Sequence, residues 1–176
     1  MLRGELVGLR AKHESDTPIL DAELHDDVVN DVRSGWRPWR PVSPGAEASR
    51  FRVSEPADDR AHFAVVELTS GTLVGEAQLA GIDPHNRTAL VGLALRPAWR
   101  GKGLGTDIVR VLCHYAFVVL GLHSVRLGTL ADNHGMIKAA ERAGFTREGV
   151  GREVAWIMGE HVDSVYYGML ASEWPA

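Results

Sequence analysis

Residues 100–106 read Arg100-Gly101-Lys102-Gly103-Leu104-Gly105-Thr106, glycines and cations set between an apolar run and a long apolar helical pattern. A helix N-terminus leaves backbone N–H groups unpartnered and aimed outward. Glycine lets the backbone approach a ligand closely and the helix dipole favours negative charge, so the segment suits a phosphate. With Arg100 and Lys102 beside it, a pyrophosphate is the better fit. Two better-known phosphate loops fail. A P-loop needs Ser or Thr directly after its Gly-Lys pair, and here Gly103 follows Lys102. The dinucleotide fingerprint needs glycine at its first, third and sixth positions. Gly101 and Gly103 comply, but the sixth is Thr106 and no βαβ unit precedes the loop.

The elements that must hold this loop follow from periodicity. Residues 88–97 are almost continuously apolar, which predicts a central strand covered on both faces and ended by Pro97. Ile108, Leu112, Ala116 and Val119 recur at helical spacing, with Asp107 in the first turn and Gly121 past the end. A strand over 124–130 and a helix over 133–144 come next, then two strands joined near Gly159. Upstream, strand 5–11 leads into a helix over 15–27, capped by Ser15 or Asp16. Strands 62–68 and 72–82 flank a Ser-Gly turn and form a hairpin. Residues 28–45, rich in Pro, Trp and Arg, lose periodicity and read as an ordered or ligand-dependent loop, with a short helix over 46–53 after it. The order predicts an α/β (α+β) chain, a single domain over residues 1–176.

Composition narrows the function. At 176 residues and 45% hydrophobic content the chain can bury a real core. A net charge of −4 makes no general case for nucleic acid, no apolar run is long enough for a membrane span, and the N-terminus resembles no signal peptide. The single cysteine, Cys113, excludes an internal disulfide; it sits beside an apolar stripe and reads as a buried thiol. No metal site is expected, and a reduced, cytoplasmic setting is.

The stretch Leu93–Val109 resembles the acyl-CoA-binding motif of the GNAT superfamily of N-acyltransferases, with Arg100, Gly103 and Gly105 at its defining positions. Asn133, Gly144 and Phe145 are similar to that family's second motif, and the closing Glu173-Trp174 resembles its RimJ/RimL-like branch. The resemblance implies a mostly antiparallel central sheet flanked by helices and splayed at its two central strands. It implies acetyl-CoA as donor, with the pyrophosphate on Arg100 to Thr106 and the pantetheine along Leu93, Ala94 and Leu95. Asn133 would reach toward the pantetheine or simply cap its helix. The implied reaction is direct attack of a primary amine on the thioester in a ternary complex, the amine being a protein N-terminus or a small molecule. A homodimer is compatible with this reading.

Departures from the family weaken the catalytic half. Its usual acidic Tyr is Ala140 here, the Ser or Ala three after the Asn is Met136, and the central strand has no carboxylate. A protonated amine needs a proton acceptor. Glu76, within apolar sequence that would raise its pKa, is the first candidate; Asp83 and His85, in a turn, are weaker. Tyr166 is the candidate acid, since Tyr166 and Tyr167 alternate across the last strand. Trp36 and Trp39 either wall the acceptor pocket or anchor packing. Arg33, Arg37 and Arg40, if they face that pocket, favour an acceptor with a carboxylate over a polyamine. A CoA-binding sensor without transferase activity is the alternative that these departures support.

Overall fold

The computed structural model describes residues 1–43 and 46–175; Pro44 and Gly45, at the end of the expected loop, and Ala176 lie outside the described residues. The strands are β1 (Leu2–Arg3), β2 (Val7–Arg10), β3 (Arg60–Glu67), β4 (Leu73–Asp83), β5 (Thr88–Leu95), β6 (Ser124–Leu130), β7 (Thr146–Ile157) and β8 (Glu160–Leu170). They form one sheet in the order β1-β2-β3-β4-β5-β6-β8-β7. All neighbours are antiparallel except β5 and β6.

That parallel junction is short. It pairs only Thr88 with Ser124, Ala89 with Val125 and Leu90 with Arg126. Beyond it β4 holds β5 as far as Leu95, and β8 holds β6 as far as Leu130. Each strand is thus pinned on its outer side while the inner sides part. The splay implied by the glycine-loop resemblance is present.

Alternation assigns the two faces. Val91, Val125, Leu127, Val165, Tyr167 and Met169 are buried beneath α3 (Leu104–His114) and α4 (His134–Ala143). α3 continues through a wide turn to Val119. The opposite face carries α1 (Thr17–Leu20, continued by a wide turn to His25) and α2 (Val28–Gly35). These helices cover it only in part, over Leu20, Leu24, Phe51, Ala64 and Leu73, and over Val32, Leu130, Ala155 and Ile157. Leu90 is consequently 53% exposed, although its strand is central. The expectation of a strand covered on both faces fails there because, among the described residues, no helix lies over it.

Two local expectations are corrected. The first part of 28–45 is helical: Asp27 accepts the Asn30 N–H at 3.1 Å as cap, and Trp36, at φ 52°, closes α2. Only Val32 of this helix is buried, so no apolar stripe marked it. Residues 46–53 form successive turns rather than a helix, with Ser49 N–H on Ala46 O at 3.0 Å and Arg52 N–H on Ser49 O at 3.3 Å. Burying Phe51 completely, with Ser49 Oγ on Asp21 Oδ1 at 2.7 Å, ties this segment down.

The helix after the glycine loop is tied to the β1–β2 turn at the sheet's other end. Asp107, buried in the first turns of α3, accepts N–H groups from Glu5 (3.1 Å), Leu6 (2.8 Å) and Val7 (2.9 Å). At the C-terminus Glu173 Oε2 accepts the Leu170 N–H at 2.8 Å and Trp174 packs on Phe117. Among the described residues no helix is long and apolar enough to cross a membrane.

Candidate active site

Backbone polarity is what the opening between β5 and β6 offers. Arg96 N–H bonds Val74 O on β4, while Arg87 O accepts from Ser124 N–H on the β6 side. Residues along a strand point their N–H and C=O to alternate edges. Leu93 and Leu95 therefore turn these groups into the opening, past the last pair of Leu90 with Arg126, and Ala94 turns its own toward β4, opposite Glu76. An extended chain entering the opening meets a free strand edge at Leu93. Leu95 O is already occupied by Arg100 Nε at 2.9 Å.

The glycine loop lies at the end of that edge. Gly101 (φ 74°) and Gly103 (φ 81°) adopt the left-handed conformation, and open space surrounds the position a Cβ would take at either. Gly103 is the residue before α3, and no side chain caps the first amides of the helix among the described residues. Leu104 is buried and contributes backbone only; Gly105 closes against Ala139 of α4, and Thr106 is half-buried. Lys102 is exposed, its ammonium 4.6 Å from the Trp99 ring centre. Arg100 Nη2 donates to Asn30 Oδ1 at 2.8 Å, joining the loop to α2. Arg96 is spent on Leu73 O and Glu23, whose carboxyl it holds below the usual range. The residues present fit a diphosphate followed by an extended, amide-bearing arm.

Asn133 caps α4: its Oδ1 accepts the Met136 N–H at 3.3 Å and its Nδ2 donates to Thr129 Oγ1 at 2.9 Å. Ala140, where the family's Tyr would stand, is fully buried in the core.

Above the junction, on the α1–α2 face, lies a cavity of about 380 Å³. Trp36, Gln78, Gly92, Gly128 and Tyr166 line it. Tyr166 stands opposite Gly128 in register and is 38% exposed. A Cβ at Gly128 would press on the Tyr166 ring at 3.2 Å and approach Trp36 at 3.7 Å, so this glycine leaves room for both rings. Tyr167 points the other way and donates to Glu141 Oε1 at 3.0 Å; burial, then Glu141, pushes its hydroxyl pKa up. Trp36 is a wall of the cavity. Trp39 is an anchor, donating to His25 O at 2.9 Å and stacking on the His25 ring.

Glu76 shares this face, next to Ala94, but its surroundings are not simply apolar. Lys12 Nζ donates to its Oε2 at 2.6 Å. Nothing in the sequence linked position 12 to 76; the contact exists because β2, β3 and β4 run side by side. Asp83 is the half-buried last residue of β4 rather than a turn residue, and its carboxylate takes the N–H groups of Asn86 and His85, which lower its pKa. Among the loop arginines, Arg33 is paired to Asp132 at 2.6 Å and Arg37 and Arg40 are exposed.

A half-open sheet with a free strand edge, a glycine-lined helix start and an aromatic-walled cavity defines a CoA-dependent transferase. The acetyltransferase (GNAT) domain model matches residues 7–146, and the chain belongs to this family. A probable N-acetyltransferase, YjcK of Bacillus subtilis, is 34% identical over 90% of this chain and 91% of its own. The putative ribosomal N-acetyltransferase YdaF of the same species is 36% identical over 61% of this chain, an alignment spanning 58% of YdaF. In fold, the chain is similar to spermidine N-acetyltransferase from Vibrio cholerae, solved with CoA and spermine: TM-score 0.77, 20% identity, covering 95% of this chain and 96% of the other. The family's donor is acetyl-CoA and its reaction is transfer to an amine, which replaces the alternative of a non-catalytic module.

Proposed function

We propose that the acceptor is a primary amine that enters through the Trp36–Tyr166 cavity and is acetylated where β5 and β6 part. The observation that carries this reading is the meeting of the free β5 edge and the cavity at Gly92. Bound acetyl-CoA supplies the acetyl thioester. Amides of Gly101 to Thr106, with Lys102 and Arg100, hold its diphosphate; backbone groups of Leu93 and Leu95 hold the arm, Ala94 flanks it with its methyl, and Asn133 closes the far side of the opening. The N–H group of Leu93 is the donor available to an oxygen placed in the opening.

The proton inventory draws on this face of the sheet: Tyr166 and Glu148 line the cavity, and Glu76 lies beside it, next to Ala94. Glu76 Oε1, the oxygen opposite the one bonded by Lys12, takes a proton from the incoming ammonium directly or through water. Tyr166 Oη returns one to the departing sulfur. Trp36 and Tyr166 exclude water from between them. No side chain forms a covalent bond with the acetyl group, and no metal enters the reading.

The finer assignments belong to the same proposal: one domain over residues 1–176, a RimJ/RimL-like specificity for a protein N-terminal α-amine, a cytoplasmic location and a homodimer. The similarity to YdaF supports the acceptor, and exposed apolar residues along β7, Val150, Val154 and Trp156, support self-association. Thiol release from acetyl-CoA, measured against a panel of peptides with free N-termini, amino acids and polyamines, tests the function. Acceptor-dependent release with at least one peptide supports it; tight CoA binding with no release on any amine rejects it.

A further inference from the structure

A second cavity of about 370 Å³ lies on the α1–α2 face, beyond β3 from the opening. Arg50, Arg52, Arg60 and His62 line it. Each arginine has a carboxylate nearby but at loose distance: Arg50 to Asp31 at 3.7 Å, Arg52 to Glu47 at 3.7 Å, Arg60 to Asp59 at 3.6 Å. Contacts of that length leave guanidinium N–H groups available for a closer oxygen. Of the lining residues only Glu47 and Glu55 are acidic, against three arginines, and the Glu47 carboxylate is 94% exposed. The Arg50 guanidinium is braced, lying 4.6 Å over the Phe51 ring.

The position of this cavity connects it to the transfer site. His62 pairs with Gln78, and Gln78 pairs with Gly92. Directly paired residues share a face, so His62, Gln78 and Gly92 form one row across the sheet. The row begins at the arginine-lined cavity and ends where the acceptor amine is to be acetylated. Two strand spacings separate its ends, about 10 Å. Along the neighbouring row the one carboxylate, Glu76, is neutralised by Lys12.

We infer that the acceptor carries an anionic group, a carboxylate or a phosphate, about 10 Å from its amine nitrogen, and that Arg50, Arg52 and Arg60 bind it. On an extended peptide this reach corresponds to an acidic third residue, since each residue spans roughly 3.3 Å. This rests on the acceptor route proposed above and adds the substrate's charge. It separates this chain from the polyamine acetyltransferases it resembles in fold, because a polycation would bring like charge to the arginines.

The test uses tetrapeptides with a free N-terminus and Asp, phosphoserine, Asn or Lys at the third position, with spermidine as the polycation. Calorimetry on the CoA-loaded protein reads binding independently of turnover, and thiol release reads turnover. The Asp or phosphoserine peptide is expected to bind about tenfold tighter than its Asn twin, the gain of one charge-assisted contact. Preference for Asp against phosphoserine identifies which anion the site takes. R52Q/R60Q, both exposed positions, should remove the preference through KM, and R52K/R60K should restore part of it. Equal binding of the Asp and Asn peptides, or spermidine binding as tightly as the Asp peptide, overturns the inference. Anion preference in binding with no turnover on any acceptor overturns the proposed reaction instead.

Discussion

Lys12 Nζ lies 2.6 Å from Glu76 Oε2, and of the two side chains the lysine is the more deeply buried, at 4% against 20% exposure. The Phe51 ring lies beneath the ammonium, 5.5 Å from its centroid. Removing the carboxylate leaves an ammonium with no counter-charge. E76Q is expected to destabilise the fold by about 3 kcal/mol, and K12M/E76Q to recover much of that loss. Thermal unfolding checks this. If Glu76 also takes the acceptor's proton, the folded double variant should retain stability and lose kcat by about 100-fold. A double variant with full kcat would remove Glu76 from the chemistry.

Tyr166 offers a cleaner separation of roles. Its ring packs by Trp36 over Gly128, and the residue lines the cavity. Y166F keeps the ring and should lower kcat by about 100-fold with little change in KM for acetyl-CoA. A Y166F variant with the kcat of the unaltered protein would assign the residue to packing alone.

Gly103, at φ 81°, precedes the amides of α3. G103A must either hold a left-handed alanine, at a cost of about 1 kcal/mol, or rotate the loop. Either outcome should raise KM for acetyl-CoA by about tenfold with a smaller effect on KM for the amine. The ratio of the two KM changes decides it.

These positions differ in how visible they were in the sequence. The glycine loop, Asn133 and the Gly144-Phe145 pair carry local backbone chemistry, a turn, a cap and a helix stop, and local chemistry leaves a local pattern. β5 was legible through its nearly unbroken apolar run and α3 through apolar residues at helical spacing. The α2 helix was not, because it buries one residue, Val32, and lies on a face left partly open. Pairings such as Lys12 with Glu76, Arg100 with Asn30 and Asp107 with the amides of residues 5–7 join positions about 64 to 102 apart. Strand order makes them, and strand order has no signature at either partner. The arginine-lined cavity has no local pattern either: Arg33, Arg37 and Arg40 cluster in sequence, whereas the guanidiniums that line one cavity belong to Arg50, Arg52 and Arg60.

Cys113 is fully buried in α3, and burial pushes its thiol pKa up to about 12. Alkylation at pH 8 should be negligible in the native protein and complete after unfolding in denaturant. Rapid labelling of the folded chain would show that α3 opens locally.

His62 links pH to stability. Burial first, then Lys12 and Arg60, disfavours its charged form, against the pull of Glu76 and Asp59. Its folded pKa lies below the unfolded value near 6.5, so the unfolded chain takes up the proton first. The stability contributed by the neutral ring is complete above that value and declines as pH falls below it. H62Q should flatten the decline in unfolding midpoint between about pH 7 and pH 5. An unchanged slope would show that other groups control the acid limb.

The three-pair junction of β5 and β6 has a consequence for the protein before any donor arrives. Beyond that junction Leu93 and the N–H of Leu95 present an interior strand edge that β6 does not pair, the kind of edge that recruits another chain. Donor and stray polypeptide compete for the same hydrogen bonds. At a hundredfold excess over its dissociation constant the donor would add about 2.7 kcal/mol to the folded state while capping that edge. Cofactor supply then governs how long the enzyme stays monodisperse as well as how fast it turns over.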